Sequence, residues 1–342
     1  MKVAIVLFNL GGPDSPEAIK PFLRNLFSDP AIISLPGFLR LPLARFIACR
    51  RAPKARKIYA QIGGASPILG QTEAQARALE EALGKDHEWR AYVCMRYWHP
   101  MTDSVVQSVR RFKPDRILLL PLYPQFSTAT MGSSIAAWKK ESARSRASTR
   151  TVCCYPTDAG FIAASVALVR QALADAGSAK KRVLFSAHGL PEKIIRRGDP
   201  YQAQVELTAA AIAAEIGGDL DWAVCYQSRV GPLKWIGPST GEEIARAGKD
   251  GVGVMLYPLS FVSEHSETLV ELDIEYRHRA GKAGVPSYTR VPTVGTHPLF
   301  IAGLASQVRA LLQAPPDAIC FGGARKPCGL AHAACPLAAT GT

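Results

Sequence analysis

The sequence predicts an α/β protein of two doubly wound Rossmann-like lobes, each with a four-stranded parallel sheet flanked by helices, followed by a cysteine-bearing C-terminal extension. Three observations predict it. Short apolar runs alternate with amphipathic stretches along most of the chain. The runs are continuously apolar rather than alternating, as parallel strands covered on both faces require. They also fall into two sets of four.

In chain order the first set is Val3–Phe8, Ala91–Met95, Arg116–Leu122 and Thr151–Tyr155. The second is Val183–Ser186, Ala223–Cys225, Val252–Leu259 and Tyr288–Val291. Between strands, Thr72–Leu83 and Phe161–Ala176 carry apolar residues at three- and four-residue spacing, the period of a helix with one buried face. This divides the chain into a first lobe over 1–156, a second over 157–294, a helix within 295–318 packing back on the first lobe, and an extension over 319–342. Residues 30–48 are apolar but broken by Pro36, Gly37 and Pro42, and Arg50, Arg51, Lys54, Arg56 and Lys57 follow. An apolar lip beside a basic patch suits a flat apolar anion or a membrane surface; a plain surface helix fits equally.

Composition excludes several classes. With 48% hydrophobic and 20% charged residues in 342, the chain is not mostly disordered. No apolar run reaches the roughly 18–20 residues that span a bilayer. The opening MKVAIVLF is too short for a secretory signal and reads as a first strand, so a cytoplasmic location is expected. The net charge of +13 favours an anionic partner, whether nucleic acid, acidic membrane or acidic small molecule, against a merely solvated basic surface. No helix-turn-helix or aromatic–basic RNA motif is present, which removes nucleic acid. The 8 cysteines are not expected as disulfides in a reducing compartment.

Ligands of doubly wound sheets bind beyond the carboxyl ends of the strands. There the sequence places Asn9–Pro13, Arg96–Pro100, Tyr123–Ser127, Ser186–Pro191, Tyr226–Arg229 and Ser260–Glu267. His188 meets a Gly-Leu-Pro turn, where an imidazole is either structural or aimed into the crevice. A helix starting at Ser263 would line up Glu264, Glu267, Glu271 and Glu275 as one carboxylate stripe, with Leu269, Leu272 and Tyr276 on the sheet-facing side. A solvated face is the plainer account. A histidine facing such carboxylates can bind a divalent metal and move protons.

The blocks SAHGLP (186–191), YQSRVGPLKWIGP (226–238) and FVSEHSETLVEL (261–272) resemble those of ferrochelatases. Asn9–Pro13, IGGASP (62–67), RYWHP (96–100) and LYPQFSTATMGSS (122–134) match as well, in family order. The resemblance implies two Rossmann-like lobes with a porphyrin cleft between them, and insertion of Fe²⁺ into protoporphyrin IX in the last step of haem synthesis. It implies His188, Glu267, His265 and Glu264 as catalytic residues, the first two handling the substrate iron, and Glu271 on a proton path. It also implies Leu10, Arg51, Tyr59, Ser66 and Trp235 as porphyrin contacts. The partners are then porphyrin and ferrous iron, with peripheral contact at an inner-membrane surface, contact with pathway enzymes and a homodimer left open.

Cys320, Cys328 and Cys335 form C-x7-C-x6-C, which reads as a metal site lacking one ligand, with zinc or plain thiols as alternatives. Many ferrochelatases carry a [2Fe–2S] cluster on such an extension. Animal-type relatives draw a fourth ligand from the Gln125–Ser134 block, where this chain has Thr128 at the matching position. Several bacterial ones use a cysteine just before Tyr-Pro, which implies Cys154, with Cys153 as the alternative. A coproporphyrin III ferrochelatase, a cobalt chelatase and a non-catalytic iron–sulfur or porphyrin-binding protein are the competing readings. The last would need neither His188 nor Glu267.

Overall fold

The computed structural model describes residues 1–143, 147–229, 233–320 and 332–336, the side chain of Cys320 excepted. It contains two compact units. The first comprises Met1–Cys153 and Ala305–Cys320; the second comprises Cys154–Leu304 with tail residues 332–336.

In the first unit β1 (Lys2–Asn9), β2 (Glu88–Met95), β3 (Arg116–Pro121) and β4 (Ser148–Val152) form a parallel sheet in the order β2-β1-β3-β4. Val3–Leu7 are fully buried, as a central strand covered on both faces must be. Two details depart from the sequence reading. The fourth strand lies earlier than Thr151–Tyr155, because β3 pairs along Ser148–Thr151. Cys153, Cys154 and Tyr155 are buried but leave the sheet for the connection onward; apolar character reported burial, not pairing. A fifth strand, Ile319–Cys320, also adds to the sheet, with Thr151 opposite Ile319 and Val152 opposite Cys320. It satisfies backbone groups on the open edge of β4, where Thr151 N–H donates to Ala318 O at 2.9 Å.

The second unit holds β5 (Lys181–His188), β6 (Trp222–Gln227), β7 (Gly253–Pro258) and β8 (Tyr288–Arg290), all parallel, in the order β6-β5-β7-β8. β5 is buried from Lys181 to Ala187, and His188 is its first half-exposed residue. On one side β5 pairs with β6 as far as His188 opposite Gln227. On the other its pairing with β7 stops at Ser186 opposite Pro258, so the end of β5 projects past β7.

The two helices read from periodicity are present as Ile68–Leu83 and Ala159–Asp175. Asp158 caps the latter by accepting from Phe161 N–H at 2.9 Å. The segment read as a lip forms the helix Gly37–Ala60, with Phe38 (77% exposed) and Phe46 (62%) in solvent. The last long helix, Pro298–Gln313, belongs to the first unit from Ala305 onward. No helix among the described residues is long and apolar enough to cross a membrane.

Candidate active site

His188 is placed by its strand and oriented by its neighbour. Its Nδ1 lies 2.6 Å from the Gly189 carbonyl. A carbonyl only accepts, so Nδ1 carries the proton and Nε2 presents a lone pair. Gly189 is held in turn by its N–H donating to Gln227 O at 2.8 Å. A Cβ at residue 189 would stand 2.9 Å from Gln227 O and 3.3 Å from the Trp235 ring, so only glycine fits this turn without displacement. The lone pair of Nε2 faces Glu267 Oε2 across 3.8 Å, with both side chains partly open to solvent.

Glu267 opens a π-helical segment, Glu267–Glu275, continued by the α-helix Tyr276–Lys282. The expected helix start at Ser263 is therefore corrected: Glu264 lies in the preceding loop, and the carboxylate stripe begins at Glu267. Turns wider than the roughly 3.6 residues of an α-helix bring positions four apart closer to alignment. Glu267 and Glu271 thus share one partner, Ser228. The Ser228 N–H donates to Glu271 Oε1 at 2.9 Å, and its hydroxyl bonds Glu271 Oε2 and reaches Glu267 Oε2 at 3.2 Å. Ser228 achieves this with a left-handed backbone, φ +59°. Burial raises the Glu271 carboxyl above its usual range, and the nearby Glu267 charge adds to the effect. Tyr276 donates to Glu271 Oε1 at 3.3 Å. Glu275, the end of the expected stripe, is exposed. On the inner side Leu272 and Tyr276 pack against Leu184, Cys225 and Leu256 as expected, whereas Leu269 is only half-buried. Full burial of Leu272 contributes about 2 kcal/mol to holding the segment on the sheet.

The other predicted residues divide. His265 is buried, its ring edge-on to Phe261 at 4.5 Å, and Nδ1 accepts from the backbone N–H groups of Glu267 (3.1 Å) and Thr268 (3.3 Å). Burial lowers its pKa, which keeps the ring neutral and able to accept. It acts as a cap that fixes the start of the π-helical segment. Glu264 turns away from His188: Arg290 Nη1 donates to its Oε1 at 2.8 Å and Thr293 N–H at 3.0 Å. Trp235 sits against the Gly189 turn with a buried Nε1–H that has no acceptor among the described residues.

In the first unit Leu10 follows β1, its carbonyl accepting from Tyr97 N–H at 3.0 Å. Arg51 is exposed over the Phe27 ring, Tyr59 is buried, and Ser66 N–H donates to Pro13 O at 2.7 Å. Cys154 and Cys335 are buried; Cys328 and the side chain of Cys320 lie outside the described residues. Among the described residues no three His, Cys, Asp or Glu side chains gather closely enough to hold a metal ion. Ser228 was not legible in advance, since a loop serine carries no signal of the backbone conformation that aims it.

Two parallel sheets flanked by helices, with an imidazole at the end of one strand and a carboxylate 3.8 Å from it, define the class: an α/β protein with the fold of the chelatases. The fold is shared by SirB from Bacillus subtilis with Fe³⁺ (TM-score 0.54, 15% identity, 92% of this chain and 96% of that one). It is shared too by the sirohydrochlorin chelatase SirB from Bacillus subtilis subspecies spizizenii in complex with cobalt (TM-score 0.53, 12% identity, 92% and 97%). The family model described as Ferrochelatase matches residues 2–312, and the chain belongs to the ferrochelatase family. Relatives named Ferrochelatase include that of Caulobacter vibrioides, 57% identical over 312 residues (90% of each chain), and that of Phenylobacterium zucineum, 53% over 309 (89% and 90%).

Proposed function

We propose that the chain forms haem by inserting Fe²⁺ into protoporphyrin IX, with His188 and Glu267 handling the metal and the departing protons. The observation that carries this reading is the 3.8 Å approach of His188 Nε2 to Glu267 Oε2. Metallation requires both pyrrole N–H protons to leave as Fe²⁺ enters. A neutral imidazole with Nδ1–H tied to a carbonyl offers one lone pair, at Nε2, either to a pyrrole proton or to iron. Glu267 supplies an oxygen ligand for the ion, and protons pass outward through the Ser228 hydroxyl to Glu271, whose raised pKa suits it to accept them. A two-residue grip is chemically apt for an ion that must be surrendered to four pyrrole nitrogens, because a complete protein ligand set would retain it.

Trp235 beside the His188 turn is one porphyrin contact; Leu10, Arg51, Tyr59 and Ser66 are assigned to the porphyrin from the family resemblance. A cytoplasmic location with peripheral contact at an anionic membrane fits the +13 charge and the exposed Phe38 and Phe46. The same resemblance assigns a [2Fe–2S] cluster to Cys154, Cys320, Cys328 and Cys335. Its support in the fold is that two of these thiols are buried around the start of one helix, Tyr201–Ile216. Gln204 Nε2 donates to Cys154 Sγ at 3.4 Å, and Ala334, beside Cys335, donates to Gly198 O at 3.2 Å. Such a cluster would supply tail anchoring or sensing, since chelation transfers no electrons.

His188→Ala is expected to bind porphyrin but not metallate it. Wild-type turnover in that variant, read as zinc or iron insertion into protoporphyrin and coproporphyrin side by side, would remove His188 from the mechanism. Preference for coproporphyrin in the same assay would reassign the substrate. Visible absorption of the purified protein before porphyrin is added tests the cluster.

A further inference from the structure

β5 runs two residues, Ala187 and His188, past its last pairing with β7, so the last backbone groups before the active-site turn need a partner from elsewhere. Tyr201, the first residue of the helix Tyr201–Ile216, fills that place. Its phenol is 6% exposed and donates to Ser260 Oγ at 3.1 Å, just beyond the end of β7. It also lies close enough to the His188 main chain and to Glu267 for both to act on it electrostatically. Burial pushes its pKa far above the physiological range, so the phenol stays a neutral donor. The helix start is fixed from the other side. Tyr201 N–H donates to Asp199 Oδ1 at 3.0 Å, and the tail closes over Gly198 through the Ala334 bond. Gly198 has φ +89°, and a Cβ there would stand 2.8 Å from Ala333 N, so the tail rests directly on this backbone.

We propose that Tyr201 is a positioning residue for His188, and that the cysteine-bearing tail, closed over Gly198, holds Tyr201 in register. The tail then bears on metal insertion without touching the porphyrin: tail to Gly198, Gly198 to Tyr201, Tyr201 to the strand end that carries the imidazole. This rests on the reading of His188 as the metal-handling residue. Small displacements of a reacting group lower turnover strongly.

The test uses the full chain and zinc insertion into protoporphyrin, with amide hydrogen exchange as a second readout. Tyr201→Phe is expected to lower kcat roughly tenfold, with porphyrin KM within about twofold and faster exchange at the end of β5. Ser260→Ala reads the same contact from the other side and serves if the first variant fails to fold. Ala334→Pro, which deletes the N–H that bonds Gly198, should lower kcat in the same direction and quicken exchange over residues 198–204. Wild-type kcat in both Tyr201→Phe and Ser260→Ala overturns the role of Tyr201. Unchanged kcat or unchanged exchange in Ala334→Pro overturns the role of the tail. An inactive His188→Ala beside a wild-type-like Tyr201→Phe refutes this inference alone, whereas an active His188→Ala refutes the reading on which it stands.

Discussion

Ser228 bonds Glu271 twice, from its peptide N–H and from its hydroxyl, and the same hydroxyl reaches Glu267. Two carboxylates that would otherwise repel are joined through a single residue. Ser228→Ala keeps the N–H and deletes the hydroxyl, so it is expected to reduce insertion by roughly tenfold to a hundredfold while porphyrin affinity is retained. Ser228→Gly tolerates the left-handed backbone but also lacks the hydroxyl, and should match the alanine variant. Steady-state zinc insertion with fluorescence-monitored porphyrin binding checks both.

Gly189→Ala should be more damaging than its size suggests. The added methyl meets Gln227 O and Trp235, so the carbonyl that sets the His188 tautomer must shift. Overpacking of this kind costs about 1–3 kcal/mol. We expect a lower melting temperature and a larger proportional loss of kcat than of stability, measured by calorimetry and turnover on the same sample.

Glu264 belongs to the framework. Its pair with Arg290 has side chains only 13% and 11% exposed. Removing one partner strands the other charge, at about 3–5 kcal/mol. Arg290→Ala should therefore lower the unfolding midpoint in denaturant, while the fraction that remains folded at low denaturant inserts metal at close to the wild-type rate.

Asp86 provides a pH test of how the last long helix is held. Arg309 and the Trp89 indole hydrogen-bond its carboxylate, which lowers its pKa from 3.8 to about 2. A depressed folded pKa means stabilisation that is complete above about pH 4 and is lost as pH falls through about 2. Arg309→Ala should bring the Asp86 titration, followed by carboxyl NMR, back toward the ordinary value and flatten the acid limb of stability.

The strands were legible because parallel strands covered on both faces must be largely apolar, as Val3–Leu7 and Val183–Phe185 are. Their edges were not. Ile319–Cys320 is a two-residue strand in a Pro- and Ala-rich stretch, too short to carry a period. The π-helical segment was invisible for a related reason: apolar spacing reports which face is buried, as Leu272 and Tyr276 do, but not how wide the turn is. That width decides which carboxylates meet, and it moved Glu264 from the stripe to the Arg290 pair. His188 and Glu267 were legible as a pair because strand ends collect ligand-facing residues, whereas Ser228 depended on a backbone angle.

The proton on His188 is set by a main-chain oxygen, that of Gly189. Side-chain exchange at that position can nudge this acceptor sideways but can never swap its chemistry, as trading a carboxylate for an amide would. The ring's tautomer is in that sense written into the backbone, and side-chain replacement can reshape this pair only from the opposite bank, at Glu267 and the residues that steady it.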